Sequence, residues 1–527
     1  MLTMPSLLAR TVAMHGRRTA VLDDDLRIDW SGFQDRVARA ATVLNRLGLR
    51  PGQAWGILAR NSFRQAELLQ AGYQAGFLPV PVNFRLAPRE IAFILQDAGC
   101  RLLVVEDHFA HMLDTPELEP WREHVLHLSA GPAEVTWPQY DAMLAEAPPS
   151  RPMDVSEDAP ALLLYTGGTT GRPKGVALTH RNIAANALQI AAAFGSDPDH
   201  RYLHLAPMFH AAELVSNAFL VSGAAHAYVS GGDVVELLKV IRRQGITAAM
   251  LPPVMIIKAI QMIEADPGAY DLGSFRHLLF GSSPMPLEWI RRTLVTFGCA
   301  DIWHGYGLTE TSPIITLAKL DRSWLDSGHP NADRLSSAGQ PVIGAEIRIT
   351  DVNGMELPPG GVGEVLVRGP QVASGYLNLP DESAQAFENG WFKTGDVGRL
   401  DDEAYLTLLD RKKDMVITGG ENVYTVEVET ALCRHPKIQD AAVFGIPDEV
   451  FGEALFAAIV PHPGQRLDAD EVIAHCRKFI GGYKVPRRIA VLDELPRSAV
   501  GKVQKDKLRR RFCPQEAIPE TKKEDAS

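Results

Sequence analysis

Between about residues 50 and 280, short β-rich runs alternate with stretches of helical period, and this alternation restricts the fold more than any other feature. Segments rich in Ala, Leu and Arg separate the runs, which are GILA at 56, RLLVVE at 101, ALLLY at 161, ITAAML at 246 and HLLFG at 277. A strand, a helix and another strand in succession are typical of parallel sheets covered by helices. The region is therefore predicted to be an α/β domain.

Beyond about residue 340 the pattern changes to short strands joined by Gly and Asp, in EVLVRGP, YLTLLDR and MVIT. A charged run at 410–414 precedes a compact α+β segment that contains AAVFGIP at 441 and a helical stretch near 469–480. Five consecutive charged residues cannot be buried in a core, so the run is interpreted as a linker. We expect two domains, residues 1–410 and residues 411–527.

Composition narrows the class of protein. The 527 residues are 46% hydrophobic and 22% charged, which is typical of a soluble protein with more than one core. No window approaches 18 uninterrupted apolar residues, so no integral membrane association is expected. The N-terminal stretch lacks a continuous apolar segment and a cleavage site, and it is interpreted as a first helix. Five cysteines without CxxC spacing predict neither a zinc site nor a disulfide framework, and favour the cytoplasm.

The charge distribution is uneven. A net charge of -11 argues against nucleic acid as a partner. Residues 482–511, however, carry ten Lys and Arg against three acidic residues. A basic run of this kind is either a solvated terminal helix or a surface that receives a polyphosphate.

The stretch YTGGTTGRPKGV at 165–176 combines four glycines, three threonines and two basic residues. Glycines beside hydroxyl groups and a lysine allow backbone N–H groups to approach phosphate oxygens. A P-loop is excluded, because Arg172 and Pro173 separate Gly171 from Lys174 and the following GVALTH is typical of a strand. On the loop alone, a Gly-rich connection without a ligand remains an alternative.

Five further motifs accompany this loop along the chain. They are PMFHAAE at 207, GSSPMP at 281, WHGYGLTE at 303, WFKTGD at 391 with DRKKDMVITGGENVY at 410, and PRSAVGKVQK at 496. Together, and in this order, the six motifs resemble those of the adenylate-forming superfamily of acyl-CoA synthetases, luciferase-like ligases and peptide-synthetase adenylation domains. The resemblance covers nearly the whole chain. It implies an α/β fold with a large N-terminal domain of stacked sheets and covering helices, and a small mobile α+β C-terminal domain.

The resemblance also implies how ATP is bound. Thr309 would contact the α-phosphate, Glu310 would hold Mg²⁺, and Tyr306 would lie along the adenine. Asp396 would accept the ribose hydroxyls, with Arg411 beside it. The remaining nucleotide-binding residues are those of the first loop, which would hold the β- and γ-phosphates, and those flanking the adenine: Thr166, Gly167, Gly168, Thr169, Thr170, Gly171, Lys174, Gly281, Ser282, Ser283, His304 and Gly305.

Lys502 would be the catalytic cation of this family, bridging the incoming carboxylate and the α-phosphate. Glu310, Thr309 and His210 complete the predicted catalytic set. In the family the small domain then rotates about the position of Lys413, which lets a thiol reach the same carbonyl. Coenzyme A would pass Gly419 and Gly420, and the basic stretch that includes Lys484 would receive its phosphates.

The motifs constrain the identity of the acid substrate less than that of the nucleotide. By the resemblance, His210 would flank the carboxylate, and the candidates to surround an apolar acyl group are Ala211, Ala212, Val221, Phe280 and Trp303. Glu213 and His304 either read a hydroxyl of the substrate or point away from it. No residue resembles the Asp with which peptide-synthetase domains hold an α-amino group, so amino acids are disfavoured.

We therefore expect an AMP-forming acid–CoA ligase that takes a medium- or long-chain fatty acid or an aromatic acid through an acyl-AMP. Its small-molecule requirements would be ATP, Mg²⁺, coenzyme A and the carboxylic acid, and a homodimer is left open. One alternative is an acyl-AMP ligase that loads a carrier protein. Another is a nucleotide sensor without catalysis, which the joint presence of Lys174, Glu310, Asp396, Arg411 and Lys502 disfavours.

Overall fold

A computed structural model of the chain describes residues 1–129, 137–166, 172–195, 197–231, 233–298, 300–326, 328–419, 421–498 and 502–513. Its strands, in chain order, are β1 Thr19–Asp23, β2 Leu26–Asp29, β3 Ala54–Leu58, β4 Leu78–Pro81, β5 Leu103–Glu106, β6 Val125–Leu128, β7 Pro160–Thr166, β8 Lys174–Thr179, β9 Arg201–His204, β10 Ala225–Tyr228, β11 Ala248–Leu251, β12 His277–Phe280, β13 Asp301–Tyr306, β14 Thr316–Leu320, β15 Gln340–Pro341, β16 Glu346–Thr350, β17 Gly363–Arg368, β18 Phe387–Glu388, β19 Trp391–Leu400, β20 Leu406–Arg411, β21 Val416–Thr418, β22 Glu421–Val423, β23 Ile438–Asp448, β24 Gly452–Pro461 and β25 Arg488–Val491.

Helices follow most of the parallel strands. They are α1 Met4–His15, α2 Trp30–Arg46, α3 Phe63–Ala75, α4 Pro88–Asp97, α5 Tyr140–Glu146, α6 His180–Phe194, α7 Ser216–Ser222, α8 Val234–Gln244, α9 Pro253–Ala265, α10 Leu287–Thr296, α11 Pro380–Ala386, α12 Thr425–Cys433, α13 Ala469–Cys476 and α14 Lys505–Phe512. Local sequence explains where they begin. At α6, for example, the Thr179 side chain accepts a hydrogen bond from the Asn182 amide and caps the helix.

Two sheets of the large domain are built mainly of parallel strands, as the alternating pattern predicts. One has the order β15-β14-β13-β12-β11-β9-β10-β1-β2, in which β13 to β1 run parallel, and the other has the order β4-β3-β5-β6. The ALLLY run is different, because β7 pairs antiparallel with β8 in a two-stranded sheet. Seven residues separate β7 from β8, too few for the crossover helix that a parallel pair requires.

Antiparallel sheets follow in the second half of the chain. Strands β16 to β20 form one five-stranded sheet, and β21 to β25 form another, in which only β25 runs parallel to its neighbour. Two clusters of buried side chains, one around Val443 and one around Phe444, consist entirely of residues from Val416 onward. The C-terminal segment therefore has its own core, and the expected fold class of a large sheet domain with a small α+β domain is confirmed.

Two further observations bear on the composition analysis. Across the part of the chain that the structure covers, no helix has the length and apolar character needed to cross a bilayer. Cys100, Cys433, Cys476 and Cys513 are free thiols.

The separate cores predict that the two domains can be destabilised independently. Phe444 is fully buried and stacks on Phe456 with ring centroids 5.0 Å apart. Phe444→Ala should therefore lower the stability of the C-terminal domain by about 3–5 kcal/mol through the lost burial and the cavity left behind. Native-state hydrogen exchange read by mass spectrometry would measure this, with the exposed Val491→Ala as the control. Equal loss of protection in peptides before residue 410 would contradict two independent cores.

Candidate active site

Three loops meet at the carboxyl ends of neighbouring parallel strands. The His210 loop follows β9, the Gly281 loop follows β12, and the Thr309 segment follows β13. Because the strands are parallel, these ends lie on one edge of the sheet, which is where α/β folds place their ligands. Residues separated by about a hundred positions in sequence are thus brought to one site.

A cavity of about 50 Å³ lies at this edge. Four of its polar side chains were predicted as site residues: His210, Ser282, Thr309 and Lys502. The apolar part of its wall comes from Ala211, Ala212, Val215, Met250, Leu279, Phe280, Pro313 and Ile314. The cavity therefore has a cationic, hydrogen-bonding side and an apolar side, as a site for an amphipathic acid requires.

Lys502 is the residue of the small domain that lines this cavity. The residue is exposed, and its side chain is part of the cavity lining. Burial lowers the pKa of Lys502, the nearby Arg411 charge lowers it further, and Asp396 and Glu310 raise it. An ammonium group here is thus only partly compensated by the protein, and an anionic ligand would stabilise it.

His210 lies on the same cavity, in the turn that precedes the one-turn 3-10 helix Ala211–Val215. Its Nδ1 accepts a hydrogen bond from the Ala212 amide at 3.2 Å, which leaves the proton of the neutral ring on Nε2. Burial lowers the pKa of His210 to about 3, and the Lys502 charge adds to this effect. The ring is therefore a neutral hydrogen-bond donor at neutral pH.

Asp396 joins Tyr306 and Arg411 in a second cluster. Asp396 on β19 lies directly opposite Arg411 on β20, and Arg411 Nε is 2.7 Å from Asp396 Oδ1. The hydroxyl of Tyr306 donates to Asp396 Oδ2 at 2.6 Å. Burial raises the pKa of Asp396, and Arg411 opposes that shift. The structure thus brings together the three residues that the resemblance assigns to adenosine.

Glu310, Tyr376 and Lys174 form a third cluster. Glu310 is buried, and its Oε1 accepts a hydrogen bond from the Tyr376 hydroxyl at 2.9 Å. Lys174 Nζ lies 4.9 Å from the centroid of the Tyr376 ring, a cation–π contact. Tyr376 was not among the predicted residues, because its surroundings, ASGYLNLP, have no helical or strand period and belong to none of the motifs.

The Gly281 loop approaches β13 closely, and the glycine itself makes this possible. A Cβ atom at residue 281 would lie 2.3 Å from the Gly305 carbonyl oxygen, so only glycine fits there. Ser282 and Gly305 line the cavity, whereas Ser283 and His304 are not among its lining residues. His304 instead stacks on Phe280 with centroids 4.6 Å apart, and its Nδ1 lies 2.7 Å from the Ser337 carbonyl oxygen.

The predicted acyl-pocket residues divide into two groups. Ala211, Ala212 and Phe280 line the cavity, whereas Val221 and Trp303 are buried elsewhere in the core. Glu213 faces away, toward a second cavity. Seven lining residues were not predicted: Val215, Met250, Leu279, Gly307, Leu308, Pro313 and Ile314. Met250 and Leu279 lie in β-rich runs, which indicate burial but not which face borders a ligand.

The remaining predicted residues either do not line the cavity or lie outside the described residues. Gly167, Gly168, Thr169, Thr170, Gly171 and Gly420 lie outside the described residues. Thr166 ends β7 and pairs with Lys174 at the start of β8. Gly419 has a φ of 59°, and its amide donates to the Phe451 carbonyl. Lys484 lies on the small domain, where its Nζ is 2.8 Å from Glu427 Oε2.

The residues present fit a magnesium ion held by one carboxylate. Among the residues described here, no group of three or more His, Cys, Asp and Glu side chains is arranged to hold a metal. Mg²⁺ in nucleotide sites is bound by one or two carboxylates together with phosphate oxygens and water. Glu310, with one oxygen hydrogen-bonded to Tyr376, supplies a carboxylate of this kind.

Comparison with known proteins agrees with this geometry. Residues 8–377 match the AMP-binding enzyme family, and residues 427–502 match the AMP-binding enzyme C-terminal domain. The chain is 37% identical to feruloyl-CoA synthase of Amycolatopsis sp, over 95% of this chain and 98% of that protein. It is 33% identical to the fatty acid–[acyl-carrier-protein] ligase ScoC of Streptomyces coeruleorubidus, over 96% of each protein.

Among solved structures, ATP-bound MatB from Rhodopseudomonas palustris is similar with a TM-score of 0.86 and 28% identity, covering 96% of this chain and 99% of that one. The similarity thus extends over both domains. The family match, the relatives and the shared fold together lead to one conclusion: the chain belongs to the AMP-binding enzyme family and is an adenylate-forming acid–thiol ligase of the acyl-CoA synthetase type.

Proposed function

We propose that this ligase activates an aromatic acid, or a fatty acid of medium to long chain, as an acyl-AMP, and then transfers the acyl group to coenzyme A. The observation that carries the proposal is the position of Lys502 in one cavity with Thr309 and His210, beside an apolar wall. An acid in this cavity would place its carboxylate among hydrogen-bond donors and a cation, and its hydrocarbon part against apolar side chains.

In the first step a carboxylate oxygen attacks the α-phosphorus of ATP, and the bond from that phosphorus to the bridging oxygen breaks as pyrophosphate leaves. Lys502 would neutralise the charge that develops between the carboxylate and the α-phosphate. Thr309 would donate to an α-phosphate oxygen, and the Nε2 proton of His210 would orient the carboxylate. In the second step the thiol of coenzyme A attacks the acyl carbonyl and AMP leaves.

The nucleotide would be held by the two clusters at the site. Asp396 would accept the ribose hydroxyls, and its pairing with Tyr306 and Arg411 holds that carboxylate in position. Thr166, Lys174 and the predicted loop residues between them would contact the β- and γ-phosphates. Glu310 would hold Mg²⁺, which when bound supplies positive charge to the phosphate oxygens.

The apolar wall supports a hydrocarbon acid without fixing its length. Val215, Met250, Leu279 and Ile314 line the cavity with aliphatic side chains. The relative named for feruloyl-CoA supports an aromatic acid, and the relative named for fatty acids keeps the aliphatic alternative open.

Coenzyme A is proposed as the acceptor because the small domain carries a basic surface for its phosphates. Arg487 lies 3.8 Å from the centroid of the Phe451 ring, close to Gly419, whose amide bonds the Phe451 carbonyl. A carrier protein is the second candidate, because one relative is named as an acyl-carrier-protein ligase. A nucleotide sensor without catalysis would not require a lysine such as Lys502 at the acid cavity.

Domain rotation at the charged run, with the boundary between residues 410 and 411, also remains part of the proposal. Lys413 is exposed and makes one long ion pair, with its Nζ 3.9 Å from Asp506. The Lys412 and Asp414 amides donate hydrogen bonds to Gly395 and Arg411. A change of backbone angle at Lys413 would therefore disturb few contacts. A cytoplasmic location is likewise a prediction.

Replacement of Lys502 tests the catalytic assignment. Lys502→Ala should slow acyl-AMP formation by about two to four orders of magnitude, because a charge at the transition state is removed. Thioester formation from supplied acyl-AMP should largely survive. Pyrophosphate release and thioester yield measure the two steps, and Lys507→Ala, an exposed lysine of α14, is the matched control. Equal loss in both steps would contradict the assignment.

Restricting the linker tests the rotation. Lys413→Pro should leave acyl-AMP formation within about threefold and slow the thioester step by at least about tenfold, because proline fixes φ at the proposed pivot. Single-turnover measurements of each step separate the two effects. Lys412→Ala, a change beside the pivot that keeps the backbone free, is the control. A second step as fast as in the parent protein would refute the pivot.

A substrate screen tests the acid and the acceptor. Pyrophosphate release should be fastest with aromatic acids such as cinnamic acid, and slower by at least about tenfold with palmitic acid, because the chain is 37% identical to a protein named feruloyl-CoA synthase. Thioester formation should proceed with free coenzyme A. Turnover only with a pantetheinylated carrier protein would identify the carrier-loading alternative, and faster release with palmitic acid would select the fatty acid.

A further inference from the structure

A second cavity, also of about 50 Å³, lies beside the acid cavity and has a different wall. Three of its lining side chains are more than nine-tenths buried and carry an atom that makes no hydrogen bond to the described residues: Gln70 Oε1, Glu213 Oε2 and His226 Nε2. Buried polar atoms in native proteins are nearly always paired with protein or an ordered polar molecule. This cavity is therefore built for a polar occupant, and the mechanism above uses none of its residues.

Two of these atoms are the ends of one hydrogen-bonded chain. Glu213 Oε1 is hydrogen-bonded to His204 Nδ1, and His204 Nε2 lies 2.8 Å from His226 Nδ1. Burial lowers the pKa of His204 to about 3 and that of His226 well below its usual value, so both rings are neutral. Burial also raises the pKa of the Glu213 carboxyl well above its usual value, while the Ser216 hydroxyl opposes that shift.

The protonation of this chain determines which group can occupy the cavity. When Glu213 is ionised, both rings donate toward it and His226 Nε2 is left as an acceptor. When Glu213 is protonated, each proton moves one step along the chain and His226 Nε2 becomes a donor. Glu213 Oε2 and Gln70 Oε1 accept in both states. A hydroxyl group both donates and accepts, so it can pair in either state, whereas an ammonium suits only the ionised one.

The two cavities have neighbouring walls. Strands β9 and β11 pair in parallel with Ala249 beside Leu203, and His204 and Met250 are the next residues on the two strands. Met250 lines the acid cavity and His204 lines the second cavity. In the segment at 211–215, the small side chains of Ala211 and Ala212 line the acid cavity, whereas Glu213 lines the second cavity. Met250, an unbranched and adaptable side chain, is the part of this wall that can move.

We propose that the second cavity is the far end of the acid site and takes a hydroxyl group at the end of the acid remote from its carboxylate. This inference rests on the proposed acid activation. The hydrocarbon part of the acid lies over Met250, and its terminal hydroxyl donates to Glu213 or Gln70 and pairs with His226. An acid without the hydroxyl leaves those buried polar atoms unpaired, which disfavours it.

The test compares acids that differ only by the hydroxyl: para-hydroxycinnamic with cinnamic acid, and ω-hydroxydodecanoic with dodecanoic acid. For at least one pair, kcat/KM for pyrophosphate release should be higher with the hydroxylated member by about tenfold or more. Glu213→Leu removes the acceptor and should reduce that ratio to below about threefold. The exposed Glu288→Leu is the matched control and should change neither ratio nor rate.

A second variant keeps the inference testable if Glu213→Leu does not fold. Met250→Phe leaves Gln70, Glu213 and His226 in place but puts a bulkier side chain between the two cavities. It should therefore also abolish the preference for the hydroxylated acid. Equal kcat/KM within both pairs, or a preference that persists in both variants, would show a merely hydrated cavity and overturn the inference. No pyrophosphate release with any acid would instead contradict the proposed activation of aromatic and fatty acids.

Discussion

The ammonium group of Lys502, held inside a cavity of the large domain, is the interaction on which the site depends. Burial and the Arg411 charge both disfavour a cation there, and Asp396 and Glu310 oppose them. A buried charge of this kind is tolerated when a ligand completes its neutralisation. The protein alone only partly neutralises the positive charge of Lys502. This ammonium group is thus suited to a substrate in which carboxylate and phosphate oxygens converge.

The parallel sheet brings the partners of Lys502 together. His210, Gly281 and Thr309 follow three different strands, and parallel pairing aligns the carboxyl ends of those strands at one edge. The antiparallel sheet that follows places Asp396 and Arg411 opposite each other on β19 and β20. Each sheet therefore supplies one part of the site, and the small domain adds the cation from outside.

Most of the fold and the polar part of the site could be predicted from the sequence. The β-rich runs predicted the parallel sheet, and the motifs contained Lys502 and Thr309, which line one cavity, and Asp396 and Arg411, which form an ion pair. The ALLLY run was the exception, because a run of apolar residues does not reveal the direction of its partner. Tyr376 and Met250 could not be predicted from the sequence. Tyr376 lies in an irregular segment without a motif, and Met250 lies in an ordinary buried strand.

The sequence by itself determined the kinds of residues at each motif: glycines where two backbone segments come close, and acidic and basic side chains at the motif positions. Its hydrophobic periodicity also determined the helices and strands of the two domains. What only the tertiary structure decided is which side of each element faces a ligand. Glu213 shows this most clearly, because its position next to Ala211 and Ala212 left open whether it faces the acid, and the structure turns it toward His204 and His226. In a single helical turn, neighbouring side chains point to different sides, and only the packing of that turn against the sheet determines which cavity each one lines.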